Sequence, residues 1–392
     1  MIKLLMISTD RTIFDQNSAV RSRLAEQSKL VGELHVVVFT PTGEKFKELH
    51  ISKHLTIYPT CSTSKWSYLP DAYKLGRSII VHDEHPEKWL ITTQDPFETG
   101  ALGFLIGRSL RVPLHLQIHT DPWSIAWKEE RLMNRMRFVL MMFLLRRAAG
   151  VRVVSARVEK SVLHAGVPRV CVTRIPIYTD VTYWGTAVPA FDLHASYRMF
   201  SKIVLSIGRL QPEKNFNGLI RAFARVRRIH TDALLIIVGS GPERERLISL
   251  ARSLELGDAV IILPWARDVA SYYKTSDLYV QPSFYEGWGL SVVEAMASGL
   301  PVVVTDVGLA GELVHNNQTG IIVPVLDEQA LVDAMVLLLT DDTLRASLTV
   351  AAREEVRTCQ SKAETLLAYQ SSWNNAYLYV HPKKTTTKKA KK

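Results

Sequence analysis

The sequence predicts an α/β chain of two doubly wound domains facing a central cleft. Strand-like apolar runs alternate with helical runs through the first half, and the pattern restarts after a segment of weak periodicity. The 392-residue length also exceeds the usual size of one hydrophobic core. In the first half, Lys3 to Ser8, Leu34 to Phe39, Trp89 to Thr93, Leu114 to Ile118 and Val151 to Val154 read as strands. Ser18 to Val31, Phe97 to Leu110, Glu130 to Ala149 and Ala156 to Ala165 read as helices between them. Pro176 to Tyr197 holds two prolines, a glycine and little periodicity, which is the composition of a linker. Strands then recur at Ile203 to Ile207, Leu234 to Val238, Val260 to Leu263, Leu278 to Gln281, Val302 to Thr305 and Ile321 to Val323. The expected organisation is a domain over 1–178, a linker over 179–200, a second domain over 201–366, a helix over 367–381 and a lysine-rich tail over 382–392.

The chain is 47% hydrophobic and 22% charged, an ordinary globular composition. Cys61, Cys171 and Cys359 lie far apart and form no CxxC pair, which argues against a zinc site or a disulfide framework. The formal net charge is +10, but the end of the chain carries six lysines from Lys383 onward. That tail reads as disordered, or as a weak tether to anionic lipid. No aromatic-basic platform accompanies it, so nucleic acid is not an expected partner. Met1 to Ser8 reads as a first buried strand rather than a signal peptide, and the aliphatic run Phe138 to Leu145 is shorter than the roughly 20 residues that span a bilayer. A cytoplasmic protein is the expectation. Lys65 to Pro70 and the helix Arg135 to Arg147 combine bases with large apolar groups and offer peripheral contact with the cytoplasmic face of a membrane.

The stretch Glu286-Gly287-Trp288-Gly289-Leu290-Ser291-Val292-Val293-Glu294 joins two carboxylates to a glycine-flanked loop at the start of a helical run. Glycines let backbone amides approach an anion, and a helix N-terminus offers it unpaired N–H groups and a favourable dipole. The bland alternative is a solvated loop acid at Glu286, a polar helix face at Glu294 and a simple turn between them. Upstream, Gly208-Arg209 follows a strand and Lys214 opens the next helix, so both cations can point into a cleft and neutralise a diphosphate.

From Pro282 to Pro324, PSFYEGWGLSVVEAMASGLPVVVTDVGLAGELVHNNQTGIIVP resembles the donor-binding region of retaining glycosyltransferases of family four. Gly208-Arg209-Leu210-Gln211-Pro212-Glu213-Lys214-Asn215 is similar to that family's G-R-L-x-x-E-K-N segment, and Val238-Gly239-Ser240-Gly241-Pro242-Glu243-Arg244 to its V-G-x-G-P-E-R turn. The resemblance is strong from Lys202 to Pro324 and looser before it. It implies two Rossmann-like domains in the GT-B arrangement, with the last helix crossing back to the first domain. It also implies transfer of a hexosyl unit, with retention, from a UDP- or GDP-sugar to a hydroxyl of a saccharide or lipid-linked glycan. No cofactor and no metal are implied, because Arg209 and Lys214 would stabilise the leaving diphosphate in place of magnesium.

By the same resemblance, Glu294 would bind ribose and Glu286 would contact the donor sugar. Backbone amides of Trp288 to Leu290 would hold phosphate and sugar oxygens, and Pro264 and Trp265 would lie near the base. Trp288 stands where phenylalanine is common, which would reshape the sugar pocket. His119, at the end of a strand, resembles a histidine beside the reacting sugar, with a role in positioning or charge stabilisation. Asp121 would orient His119 or meet an acceptor hydroxyl, and Asp95 would cap a helix or contact acceptor. One departure is the segment Thr9 to Ser18, where a glycine-rich loop is common; Asn17 and Ser18 can cap a helix there. An epimerase or phosphorylase on the same scaffold, or a non-catalytic nucleotide-sugar-binding protein, are the alternatives.

Overall fold

The structure is a computed structural model and describes residues 1–44 and 46–381. The lysine-rich tail therefore lies outside the described residues. Fourteen strands form two sheets among the described residues. In the first are β1 (Lys3–Ser8), β2 (Glu33–Val38), β3 (Leu49–Ser52), β4 (Leu55–Pro59), β5 (Trp89–Thr93), β6 (Leu114–Ile118), β7 (Gly150–Val153) and β8 (Val172–Arg174). In the second are β9 (Lys202–Ile207), β10 (Ala233–Val238), β11 (Val260–Leu263), β12 (Leu278–Gln281), β13 (Val302–Thr305) and β14 (Ile321–Val323).

The first sheet has the order β3-β4-β2-β1-β5-β6-β7-β8 and is parallel except for β3 against β4. The second is wholly parallel, in the order β11-β10-β9-β12-β13-β14. A parallel sheet covered on both faces needs strands that are apolar at every position. β10, Ala-Leu-Leu-Ile-Ile-Val, is buried throughout. Because successive side chains point to opposite faces, Leu235 and Ile237 join one core, while Leu234, Ile236 and Val238 join the other.

The structure adds elements that the sequence pattern did not predict: the β3–β4 hairpin, β8, and a helix over Tyr68–Val81. The expected single helix over Glu130 to Ala149 is two helices, Ile125–Glu130 and Leu132–Leu145, because Arg131 adopts an extended backbone. The break lets Trp127 enter the core and stack on Phe97 at 5.3 Å, while Asn134 Nδ2 donates to the Trp127 carbonyl at 2.8 Å. Residues 308–314 form turns.

The segment 179–200 carries two short helices, Val181–Thr186 and Leu193–Ser196, and rests on the second domain through Trp184, edge-on to Tyr273 at 5.5 Å. The last helix, Lys362–Val380, begins earlier than the expected residue 367. It opens with a capping box in which the Ser361 and Glu364 side chains each accept from the other's backbone N–H. It returns to the first domain and buries Tyr369, Trp373 and Ala376 beside Leu4, Met6 and Leu34.

Candidate functional site

In doubly wound sheets, ligands bind beyond the carboxyl ends of the strands where the strand order reverses. In the second sheet that point lies between β9 and β12, and the loops after those two strands carry Gly208-Arg209 and Glu286-Gly287. In the first sheet it lies between β1 and β5, followed by Thr9-Asp10 and Gln94-Asp95.

A cavity of about 540 Å³ opens at the first of these points. Of the residues expected at a donor site, Gly208, Arg209, Lys214, Trp265, Glu286, Gly287, Trp288, Gly289, Leu290 and Glu294 line it, as does His119 from the first domain. Pro264 is exposed but does not line it, while Ala266 and Arg267 do. The Trp265 N–H donates to Ser240 Oγ at 3.2 Å, which anchors this loop to the turn after β10 just beyond Pro264.

Lys214 forms an ion pair with Glu286, whose Oε1 also accepts from Ser283 Oγ at 2.8 Å. The two charges thus hold each other on facing loops. Arg209 is different: its side chain is 73% exposed at the cavity, and among the described residues it pairs with Glu213 at 3.1 Å. Deeper in, Glu294 Oε2 accepts from the Tyr273 hydroxyl at 3.0 Å. Burial pushes the Glu294 carboxyl up to about 7, with the Tyr273 hydrogen bond pulling the other way. Burial also drives the Tyr273 phenol well above its ordinary value, so it stays a donor.

The helix Leu290–Ser298 starts at Gly289, whose φ of 116° is the left-handed region that glycine tolerates. No side chain caps this end, so the first amides face the cavity as an anion site made of backbone. Trp288 belongs to the core beneath the loop, 4% exposed, and its Nε1 has no partner among the described residues.

The first domain meets this loop directly. A Cβ built on Gly287 would stand 2.0 Å from the His119 carbonyl oxygen, a contact that only glycine permits. His119 also lines a second cavity, of about 380 Å³, between the first sheet and the last helix. His119 is accessible within the cleft rather than sealed in the core; crowding by the surrounding protein, then the Arg152 guanidinium 3.3 Å away and Arg23, lowers its pKa and favours the neutral ring. Asp95 lines the second cavity; its Oδ1 accepts from the Phe97 N–H at 2.7 Å just before the helix Glu98–Leu110, and burial raises its pKa. Asp121 does not orient His119. Its Oδ1 accepts from the Trp123 N–H at 3.0 Å, a turn contact that directs the carboxylate along its own chain.

Sequence reasoning missed three groups at the site: Tyr273, Gln281, which accepts from Ser291 Oγ at 3.1 Å, and Arg152. For Arg152 a signal existed, a charge inside the apolar run Val151 to Val154. Among the described residues, no three His, Cys, Asp or Glu side chains converge as a metal site, and no helix is long and apolar enough to cross a membrane.

Residues 198–355 match the family described as glycosyl transferases group 1. The chain is 34% identical over 155 residues to N-acetyl-alpha-D-glucosaminyl L-malate synthase of Bacillus anthracis, covering 40% of each protein. It is 36% identical over 167 residues to phosphatidyl-myo-inositol mannosyltransferase of Mycobacterium leprae, covering 42% of this chain and 44% of that one. The matches therefore span less than half the length of these relatives. Sucrose-phosphate synthase from Thermosynechococcus elongatus has the same fold, with a TM-score of 0.76 at 23% identity over 96% of this chain and 99% of that one. Two parallel-sheet domains about one cleft, as here, are the GT-B arrangement.

Proposed function

Over residues 198–355 the chain belongs to the glycosyl transferases group 1 family, and from that membership we propose a retaining glycosyltransferase. It moves a hexosyl unit from a nucleoside diphosphate sugar to a hydroxyl of a saccharide or lipid-linked glycan. The observation that carries this reading is the single cavity in which Lys214, Arg209 and an uncapped helix N-terminus surround the space above Glu294.

In that reading the diphosphate takes the amides at Leu290 and Ser291, and Lys214 exchanges Glu286 for phosphate. Glu286, released, accepts from hydroxyls of the sugar. Glu294 accepts from the ribose, and Arg209 folds over the leaving group from its exposed position. Protein cations spread the developing charge, so no metal is needed. No side chain stands out as an enzymic nucleophile, which favours same-face displacement assisted by the leaving phosphate. His119, neutral and shared by both cavities, hydrogen-bonds at the point of transfer rather than acting as an acid.

The helix Leu132–Leu145 exposes Leu132, Met136, Val139 and Phe143 at helical spacing, flanked by exposed Arg135, Arg146 and Arg147. That stripe supports peripheral contact with an anionic membrane.

The test is a panel of nucleotide sugars with varied acceptors, followed by release of nucleoside diphosphate. Lys214→Ala is expected to cut donor turnover by about 100-fold or more while the fold persists. Undiminished transfer by that variant would overturn the assignment. Binding without release would instead favour a scaffold, and conversion to another nucleotide sugar an epimerase.

A further inference from the structure

The 380 Å³ cavity of the first domain contains a buried positive charge with no counter-charge. Arg152 is 1% exposed. Its Nε and Nη2 donate to the Ile175 carbonyl at 3.2 and 2.8 Å, and its Nη1 donates to Gln117 Oε1 at 3.0 Å. Nη1 also lies 3.4 and 3.3 Å from the two ring nitrogens of neutral His119, and the guanidinium carbon sits 4.7 Å over the Tyr369 ring. Every one of these partners is neutral. Among the described residues no carboxylate lies within the 4.0 Å of an ion pair. A guanidinium has five N–H donors, and these contacts use at most four.

Such a charge is expensive: a buried ion without an opposite partner is among the costliest features a fold can hold. The two carboxylates that line the cavity do not offset it. Asp10 Oδ1 accepts from the backbone and hydroxyl of Thr12 at 2.9 and 2.7 Å, and Asp95 is committed to the Phe97 amide. A second cation, Arg23, lines the same cavity and has no ion pair among the described residues. The cavity adjoins the donor site through His119 and Ile177, which line both.

We infer that the acceptor is anionic, carrying a phosphate or carboxylate that pairs with Arg152 and Arg23 in the first-domain cavity while its hydroxyl faces His119. This rests on the glycosyltransferase reading for the word acceptor, but the anion site itself stands on the unpaired arginines. Arg152, gripped from three sides, presents its charge and its remaining N–H in a fixed place, and the exposed Arg23 closes over the ligand.

The test titrates glucose, glucose 6-phosphate and glucuronate into the full chain at matched ionic strength, with the donor cavity occupied by UDP or GDP and again without nucleotide. Nucleotide blocks anion binding at the donor site, so the remaining signal belongs to the first domain. At least one of the two anions should bind about tenfold or more tighter than glucose, and Arg23→Gln and Arg152→Gln should each remove about tenfold of that preference. Arg23 is exposed, so R23Q keeps the test open if R152Q fails to fold. Equal binding of all three sugars, or a preference that both variants retain, would overturn the inference. Preference for an anion without any nucleotide binding would uphold this site and overturn the donor reading. Phosphatidic acid vesicles that displace glucose 6-phosphate would trace the anion to a lipid headgroup; vesicles that do not would trace it to a free compound.

Discussion

Glu294 connects stability and binding through one proton. Its carboxyl titrates near 7 in the folded chain, above the ordinary 4.5. Between those values the folded state holds a proton that the unfolded chain has lost, so stability falls as pH rises through that window. Glu294→Gln removes this term and is expected to raise thermal stability above about pH 7 by roughly 1–3 kcal/mol, one pKa unit being about 1.36 kcal/mol. The same substitution should weaken the donor, because an ionised carboxylate accepts two hydroxyl hydrogens and an amide oxygen accepts less strongly. For the unaltered protein, donor affinity should climb as pH rises past 7. Calorimetric titration of nucleotide across that range checks it, and a flat profile would remove Glu294 from the ribose. At this scale the sequence was informative where a motif grouped the residues: Lys214, Glu286 and Glu294 share the cavity. It was silent on Tyr273 and marked Arg152 only as a charge inside an apolar run, because their partners lie 21 to 35 residues away along the chain.

Among the elements, the uncapped helix Leu290–Ser298 and the returning helix Lys362–Val380 have opposite tasks. The first leaves its N-terminus open to the cavity, whereas the second has its N-terminus closed by a capping box and spends its length on packing. Trp373 is fully buried among first-domain residues, so Trp373→Ala should destabilise that domain by about 3–5 kcal/mol. Chemical denaturation followed by first-domain and second-domain probes should then separate into two transitions; one unchanged transition would refute it. Strands β9, β10, β12 and β13 were legible because strands covered on both faces are mostly apolar. The hairpin β3–β4 was not, since its edge strand β3 is only partly covered and lacks that run. The kink at Arg131 also escaped, because the apolar periodicity continues through it and only the seat of Trp127 in the core demands the break.

For the whole molecule, the decisive contact is Gly287 against the His119 carbonyl. A methyl group there cannot fit while the domains stand as they do. Gly287→Ala should hold the cleft open, lowering turnover by at least about 100-fold, as misplacement of reacting groups by an ångström does. Small-angle scattering should report a larger radius of gyration at nearly unchanged thermal stability. An active, compact variant would show that the contact is dispensable. Polar contacts spanning the domains, among them Ala156 N–H to Glu312 at 2.6 Å and Tyr285 hydroxyl to Glu130 at 2.5 Å, involve no glycine and would survive only in the closed form.

The sequence alone determined two doubly wound sheets and the grouping of Arg209, Lys214, Glu286 and Glu294 at one cavity, because buried parallel strands and glycine-flanked helix starts are local patterns that composition must satisfy. Tertiary structure alone decided the approach of Gly287 to His119, the breaking of the helix at Arg131, and the isolation of the Arg152 charge. Each of these depends on groups distant in the chain arriving in one place, and no local pattern encodes which neighbour a side chain will lack.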